Sequence, residues 1–107
     1  YFNISNNKTI TNTGQILGGI LIMKKNNSLN KLFSIWGDTL KDNSLLFTDY
    51  YNSNQNKGFI DNRHEQSVFS VIRKMHNPIL LGDETYLKPF GSIESLKYPF
   101  WATRKRW

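Results

Sequence analysis

The chain contains no cysteine, which excludes a disulfide framework, a thiolate zinc site and a thiol nucleophile. It also lacks a long apolar run. The longest, Ile16-Leu17-Gly18-Gly19-Ile20-Leu21-Ile22-Met23, has eight residues, against the roughly 20 needed to span a bilayer, and it lies too far inside the chain for a secretion signal. Phosphate-cradling loops are missing as well, because Gly14, Gly18 and Gly19 fit neither GxxxxGK[ST] nor GxGxxG. Acidic residues are few: 8 Asp and Glu stand against 14 Lys and Arg, for a net charge of +6. That balance favours anionic partners without choosing among nucleic acid, nucleotide phosphates and a membrane surface.

What is present suits a folding chain. At 107 residues there is room for one domain. With 38% hydrophobic residues and seven Phe, five Tyr and three Trp, the composition is too aromatic for a disordered tail. The first residue is Tyr1 rather than Met, which points to a removed leader or to a piece of a longer chain. Residues 1–13 are polar and without periodicity, and are expected to be an irregular leading segment that nucleates no core. The run from Gln15 to Lys24, rich in Ile and closed by Lys24-Lys25, reads as a buried strand. Gly18 and Gly19 within it leave nothing to pack, so they imply a bulge or the close approach of another backbone or a ligand.

Ser28 stands where an N-cap belongs, and Leu29, Leu32, Phe33, Trp36 and Leu40 recur at steps of three and four, predicting an amphipathic helix over 29–41. Leu45 to Tyr51 is a short apolar segment, read as a single helical turn or a packed loop. Asn62 followed by Glu65 matches a capping box, and Val68, Val71, Ile72 and Met75 form an apolar stripe, so a second helix is expected from Arg63 to His76, stopped by Asn77-Pro78. Ile79-Leu80-Leu81 reads as a short buried strand, residues from Asp83 onward as loop, and Tyr98 to Thr103 as a last extended segment. The expected order is therefore strand, helix, loop, helix, strand, loop and a possible last strand, with no internal repeat.

Several chemistries can be weighed from spacing alone. A zinc-protease reading of His64-Glu65 fails, because the second His is missing and position 68 is Val. Asp61, His64 and Glu65 offer metal-ligand atoms, but three such residues at a capped helix start are more often capping and solvated groups. Ser67 lies only three residues from His64 and has no nucleophile elbow around it, which argues against a hydrolase triad. His76, at a helix end, suits the dipole there. For nucleic acid, Arg104-Lys105-Arg106-Trp107 is the one basic cluster; Lys24, Lys25, Lys31, Lys41, Lys57, Arg63, Arg73 and Lys74 are scattered and read as a solvated face, and no RNP or GXXG signature is present.

Taken together, Thr13-Gly14-Gln15-Ile16-Leu17-Gly18-Gly19-Ile20, the Trp-bearing helix, Phe59-Ile60-Asp61-Asn62-Arg63-His64-Glu65-Gln66-Ser67, Asp83-Glu84-Thr85-Tyr86 and Tyr98-Pro99-Phe100-Trp101-Ala102-Thr103-Arg104 follow a familiar order. The chain resembles the C-terminal half of a bacterial and viral family of glycosyltransferases with the nucleotide-diphospho-sugar (GT-A type) fold. The resemblance covers nearly all of positions 9–106 and is most specific at Arg63 to Ser67 and Phe100 to Arg104. It implies an α/β fold, the acceptor-side part of a mixed sheet flanked by helices. The nucleotide-binding half, with its Asp-X-Asp motif and divalent metal (Mn or Mg), is then expected to precede residue 1, since no Asp-X-Asp occurs here. A nucleotide sugar and a carbohydrate acceptor are the implied partners.

The resemblance further implies that Gln15, Gly18 and Gly19 let sugar or acceptor lie against the backbone, and that Glu65 and Gln66 face the transferred sugar as catalytic residues. Arg63, His64 and the helix dipole are available to the departing diphosphate. The family more often carries Asp where this chain has Glu65 and where it has Asn12. Arg104 either meets phosphate or pairs with Asp83 or Glu84. A basic nucleic-acid-binding module and a non-catalytic homologue are the alternative readings. Alone, the piece is expected to be of marginal stability.

Overall fold

The computed structural model describes residues 1–50, 53–55, 57–82 and 91–101. Three α-helices are present among them: α1 over Lys8–Thr11, α2 over Asn27–Asp42 and α3 over His64–Met75. Short 3-10 turns follow at Ser44–Phe47 and Ser95–Lys97. No strand and no sheet occur among the described residues, so the α/β class and the mixed GT-A type sheet are corrected to a helical arrangement. The described part of the Asp83–Arg104 region is limited to 91–101; the Asp83-Glu84-Thr85-Tyr86 loop and Arg104 to Trp107 lie outside the described residues, as does Tyr51.

The missing sheet has a physical cause in the two expected strands. Strand propensity expresses itself only where a neighbour supplies the ladder and covers the face. Neither Gln15–Lys24 nor Ile79–Leu81 pairs with a strand. Ile22, Ile79 and Leu81 are instead 82%, 92% and 76% exposed. The described part of the last segment, Tyr98–Trp101, is likewise in no strand.

Helix α2 begins earlier than its spacing predicts. The cap is Asn26, whose side-chain oxygen accepts from the Leu29 N–H at 2.8 Å; Ser28 lies within the first turn. Its inward face is also rotated: Leu32 is buried and Ile35 and Trp36 pack on the core, while Phe33 and Leu40 are exposed. Thr39, 1% exposed, belongs to this face because its hydroxyl donates to the Ile35 carbonyl at 2.7 Å. Residues 32, 35, 36 and 39 are one face at 3.6 residues per turn, whereas Leu40 falls a step beyond it.

Helix α3 carries the other half of the core. Val68, Phe69 and Ile72 are buried with Leu32, and Phe2, Leu46 and Phe47 pack around them. Phe69 takes the place expected for Val71 and Met75, which are half-buried and exposed. Trp36 stacks on Phe69 with ring centroids 4.4 Å apart, a geometry that adds attraction beyond the area buried. The helix stops as its sequence predicts: the His76 N–H closes on Arg73, Asn77 takes a positive φ of 49°, and Pro78 follows.

The leading segment contributes more than its polarity suggests. Ile10 in α1 is buried, Phe2 joins the core, and the Lys74 ammonium donates to the carbonyls of Ile10 and Thr13 at 3.1 and 3.0 Å. The chain is nonetheless open, with a Cα radius of gyration of 16.5 Å where a compact chain of this length has about 13 Å.

The cap assignment gives a direct stability test. Asn26→Ala should cost about 1 kcal/mol in urea denaturation, whereas Ser28→Ala should change stability by less than about 0.5 kcal/mol. Equal losses in the two variants contradict the cap.

Candidate functional site

Most of the residues singled out by the sequence lie at the N-terminus of α3. An open cleft of about 390 Å³ there is lined by Asp49, Asp61, Asn62, Arg63, His64, Glu65 and Gln66. The capping box expected of Asn62 and Glu65 does not form. Asn62 instead donates its side-chain N–H to the Leu46 carbonyl at 2.9 Å, tying the 3-10 turn to the helix start. The Ser67 hydroxyl, one turn into the helix, accepts from the Arg63 N–H at 2.7 Å, and among the described residues no side chain caps the first-turn N–H groups of α3. Glu65 is thereby left on an exposed first turn, where its charge suits the helix dipole.

His64 opens the helix in an unusual conformation. Its φ is +48°, a left-handed value that is uncommon outside glycine, although His tolerates it better than bulky or branched residues do. The conformation coincides with a 2.6 Å contact between its Nε2 and Oδ1 of Asp49. A carboxylate only accepts, so the Nε2–H of the imidazole is the donor in this contact. Asp49 is 88% exposed, which limits the pair to about 1 kcal/mol or less. Its main effect is to fix the imidazole at the cleft.

The Gln15–Gly19 segment reaches the same end of α3 without forming a strand. The Ser67 hydroxyl donates to Gln15 Oε1 at 3.4 Å, and the Ile16 N–H donates to the buried Ser70 hydroxyl at 2.8 Å. The Arg73 guanidinium donates to the Ile16 carbonyl at 2.9 Å and to the Leu17 carbonyl at 3.0 Å. Gly18 then lies beside Gln66, where an added methyl group would meet Cγ and Oε1 at 3.7 Å. That is ordinary contact, and a methyl at Gly19 would meet nothing within 4 Å. Neither glycine is therefore required by a protein group approaching closely, which corrects that part of the strand reading.

Burial lowers the pKa of both Arg73 and Lys74, because desolvation disfavours their charged forms. The carbonyl oxygens they bind offset that cost. Both residues are thus drawn from the solvated basic face expected for them.

A second hollow of about 520 Å³ shares Asp61 and Asn62 with the cleft and includes Tyr50, Phe59, Asn54 and Gln55. Among the described residues no three His, Asp or Glu groups come close enough to hold a metal ion, so Asp61, His64 and Glu65 do not form a ligand set. No described helix is long and apolar enough to cross a membrane.

Two residues of this region, Asp49 and Arg73, escape the sequence reading. Asp49 is separated from His64 by 15 positions, and no spacing rule joins them. Arg73 did carry a signal: Gln66, Ser67, Ser70, Arg73 and Lys74 recur at three and four residues, a polar stripe beside the apolar one. Comparison with family models, curated proteins and solved structures found no match to this chain.

The glycines yield a second test. Neither has a positive φ, so Gly18→Ala and Gly19→Ala should each raise stability by about 0.4–1 kcal/mol through the unfolded chain. A loss above about 1 kcal/mol in either variant contradicts the local geometry.

Proposed function

We propose that this chain carries part of the sugar-binding and catalytic surface of a glycosyltransferase, an enzyme moving a sugar from a nucleotide-sugar donor to a glycan or similar acceptor. The observation that carries the reading is convergence. Arg63, His64, Glu65 and Gln66, which the family resemblance implies, line one cleft, and Gln15 and Gly18 from 50 residues earlier are held against Ser67 and Gln66 beside it.

Glycosyl transfer develops positive charge at the anomeric carbon and negative charge on the departing diphosphate. The Glu65 carboxylate and the Gln66 amide suit the first, by electrostatic stabilisation and by hydrogen bonds to sugar hydroxyls. Arg63, His64 and the N-terminal N–H groups of α3 suit the second. Glu65 is one methylene longer than the Asp more usual in the family, which moves its carboxylate by roughly 1 Å, a displacement that bears on rate as much as on binding. Gly19, with open space beside it, leaves backbone accessible to a sugar ring. The adjoining hollow offers exposed Tyr50 and Phe59 with the amides of Asn54 and Gln55, a set that suits an acceptor carbohydrate. A nucleic-acid role loses two of its cations, since Arg73 and Lys74 bind backbone carbonyls within the chain.

The test is an NMR titration with UDP- and GDP-sugars and short oligosaccharides, with and without Mn²⁺. Shifts should concentrate at the amides of residues 62–67. Affinity should fall at least about tenfold in Glu65→Ala or Gln66→Ala, equivalent to about 1.4 kcal/mol, with melting temperature within a few degrees of the parent. Absence of localised shifts with every sugar, or unchanged affinity in both variants, contradicts the proposal.

A further inference from the structure

The segment bearing Gln15 and Gly18 has no helix or strand of its own to hold it in place. Its described attachments to α3 are made by side chains. Ser70 accepts from the Ile16 N–H at 2.8 Å, and Arg73 binds two consecutive carbonyls, Ile16 through Nη2 at 2.9 Å and Leu17 through both Nη1 and Nη2 at 3.0 Å.

Arg73 is itself built in. It is 6% exposed, where arginine is almost never fully buried unless its charge is met. Its Nε donates to the Phe69 carbonyl at 3.4 Å, and its guanidinium carbon lies 4.9 Å from the centre of the Phe69 ring, the ring on which Trp36 stacks. Cation–π attraction and the planar fork together fix the direction of the donors. A merely solvated arginine needs none of these contacts. The fork ends on the two residues between Gln15 and Gly18, the pair brought to Ser67 and Gln66.

We propose that Arg73 is a positioning residue for the site: a guanidinium clamp that fixes the Gln15–Gly18 segment in register with the first turn of α3, so that Gln15 stands beside Ser67 and Gly18 beside Gln66. The bearing of this clamp on substrate rests on the function proposed above; the clamp itself does not, and it is tested without any ligand.

The variants are Arg73→Met, which keeps length and apolar stem but removes every donor, Arg73→Lys, which restores one point donor, and Ser70→Ala, which removes only the acceptor of the Ile16 N–H. The readouts on the full chain are the NOE between Gly18 Hα and Gln66 Hγ, and amide exchange at residues 16–19 compared with Val68–Ile72. In Arg73→Met the NOE should vanish and exchange at 16–19 should accelerate about tenfold or more while the α3 core amides keep their protection, the signature of local rather than global opening. Arg73→Lys should restore part of both signals. Where Arg73→Met does not fold, Arg73→Lys and Ser70→Ala decide. Each should speed exchange at Ile16 several-fold more than at Ile72, which for Ser70→Ala follows from the lost acceptor. An intact Gly18–Gln66 NOE in folded Arg73→Met, or exchange in Arg73→Lys that rises equally at 16–19 and 68–72, overturns the proposal.

Discussion

A buried guanidinium that finds its hydrogen-bond acceptors in the backbone of a distant segment is the interaction on which the site depends. Arg73 sits behind the aromatic stack of Phe69 and Trp36 and faces the carbonyls of Ile16 and Leu17. Its contacts satisfy a charge withdrawn from water. They also convert the packing of two helices into the position of a third, irregular segment. Lys74 and Ser70 repeat the arrangement on either side, reaching Ile10, Thr13 and Ile16. Hydrogen bonds from side chains thereby take over part of what a β-ladder does in a sheet, which is to fix one segment of chain against the next.

That substitution explains which parts of the fold were legible in the sequence. The two long helices were, because their apolar residues recur at the helical period and Asn77-Pro78 stops the second. Their inward faces were legible only in part: Trp36 and Leu32 fell where periodicity put them, while Phe69 and Thr39 joined the core against expectation. Phe69 sits between Val68 and Ser70 and was not counted in the stripe; Thr39 satisfies its own hydroxyl within the helix. The sheet was misread because Ile-rich runs signal burial against partners, and a sequence window cannot say whether the partners are there.

For the candidate site, the residues from Arg63 to Gln66 that the sequence singles out line one cleft, and local geometry sets the contacts each of them makes. The expected capping box of Asn62 and Glu65 does not form, which leaves Glu65 on the exposed rim of the cleft. His64, read as one of several donors, is fixed by Asp49 from the loop after the 3-10 turn. A pair formed across 15 positions is set by how two segments pack, so no motif announces it. Arg73 and Lys74 were grouped with the solvated cations because charge favours the surface; their spacing with Ser67 and Ser70 was the sign of a second, polar, inward stripe.

The central claim, that a helical core holds residues 10–17 by side-chain donors rather than in a sheet, is tested most directly by backbone and side-chain NMR of the full chain. The account predicts helical Cα shifts over 27–42 and 64–75, no cross-strand Hα–Hα NOEs from residues 15–24, and slowly exchanging Arg73 guanidinium protons with NOEs to Ile16 and Leu17. Cross-strand NOEs joining 15–24 to 79–81, together with freely exchanging Arg73 protons, would contradict it.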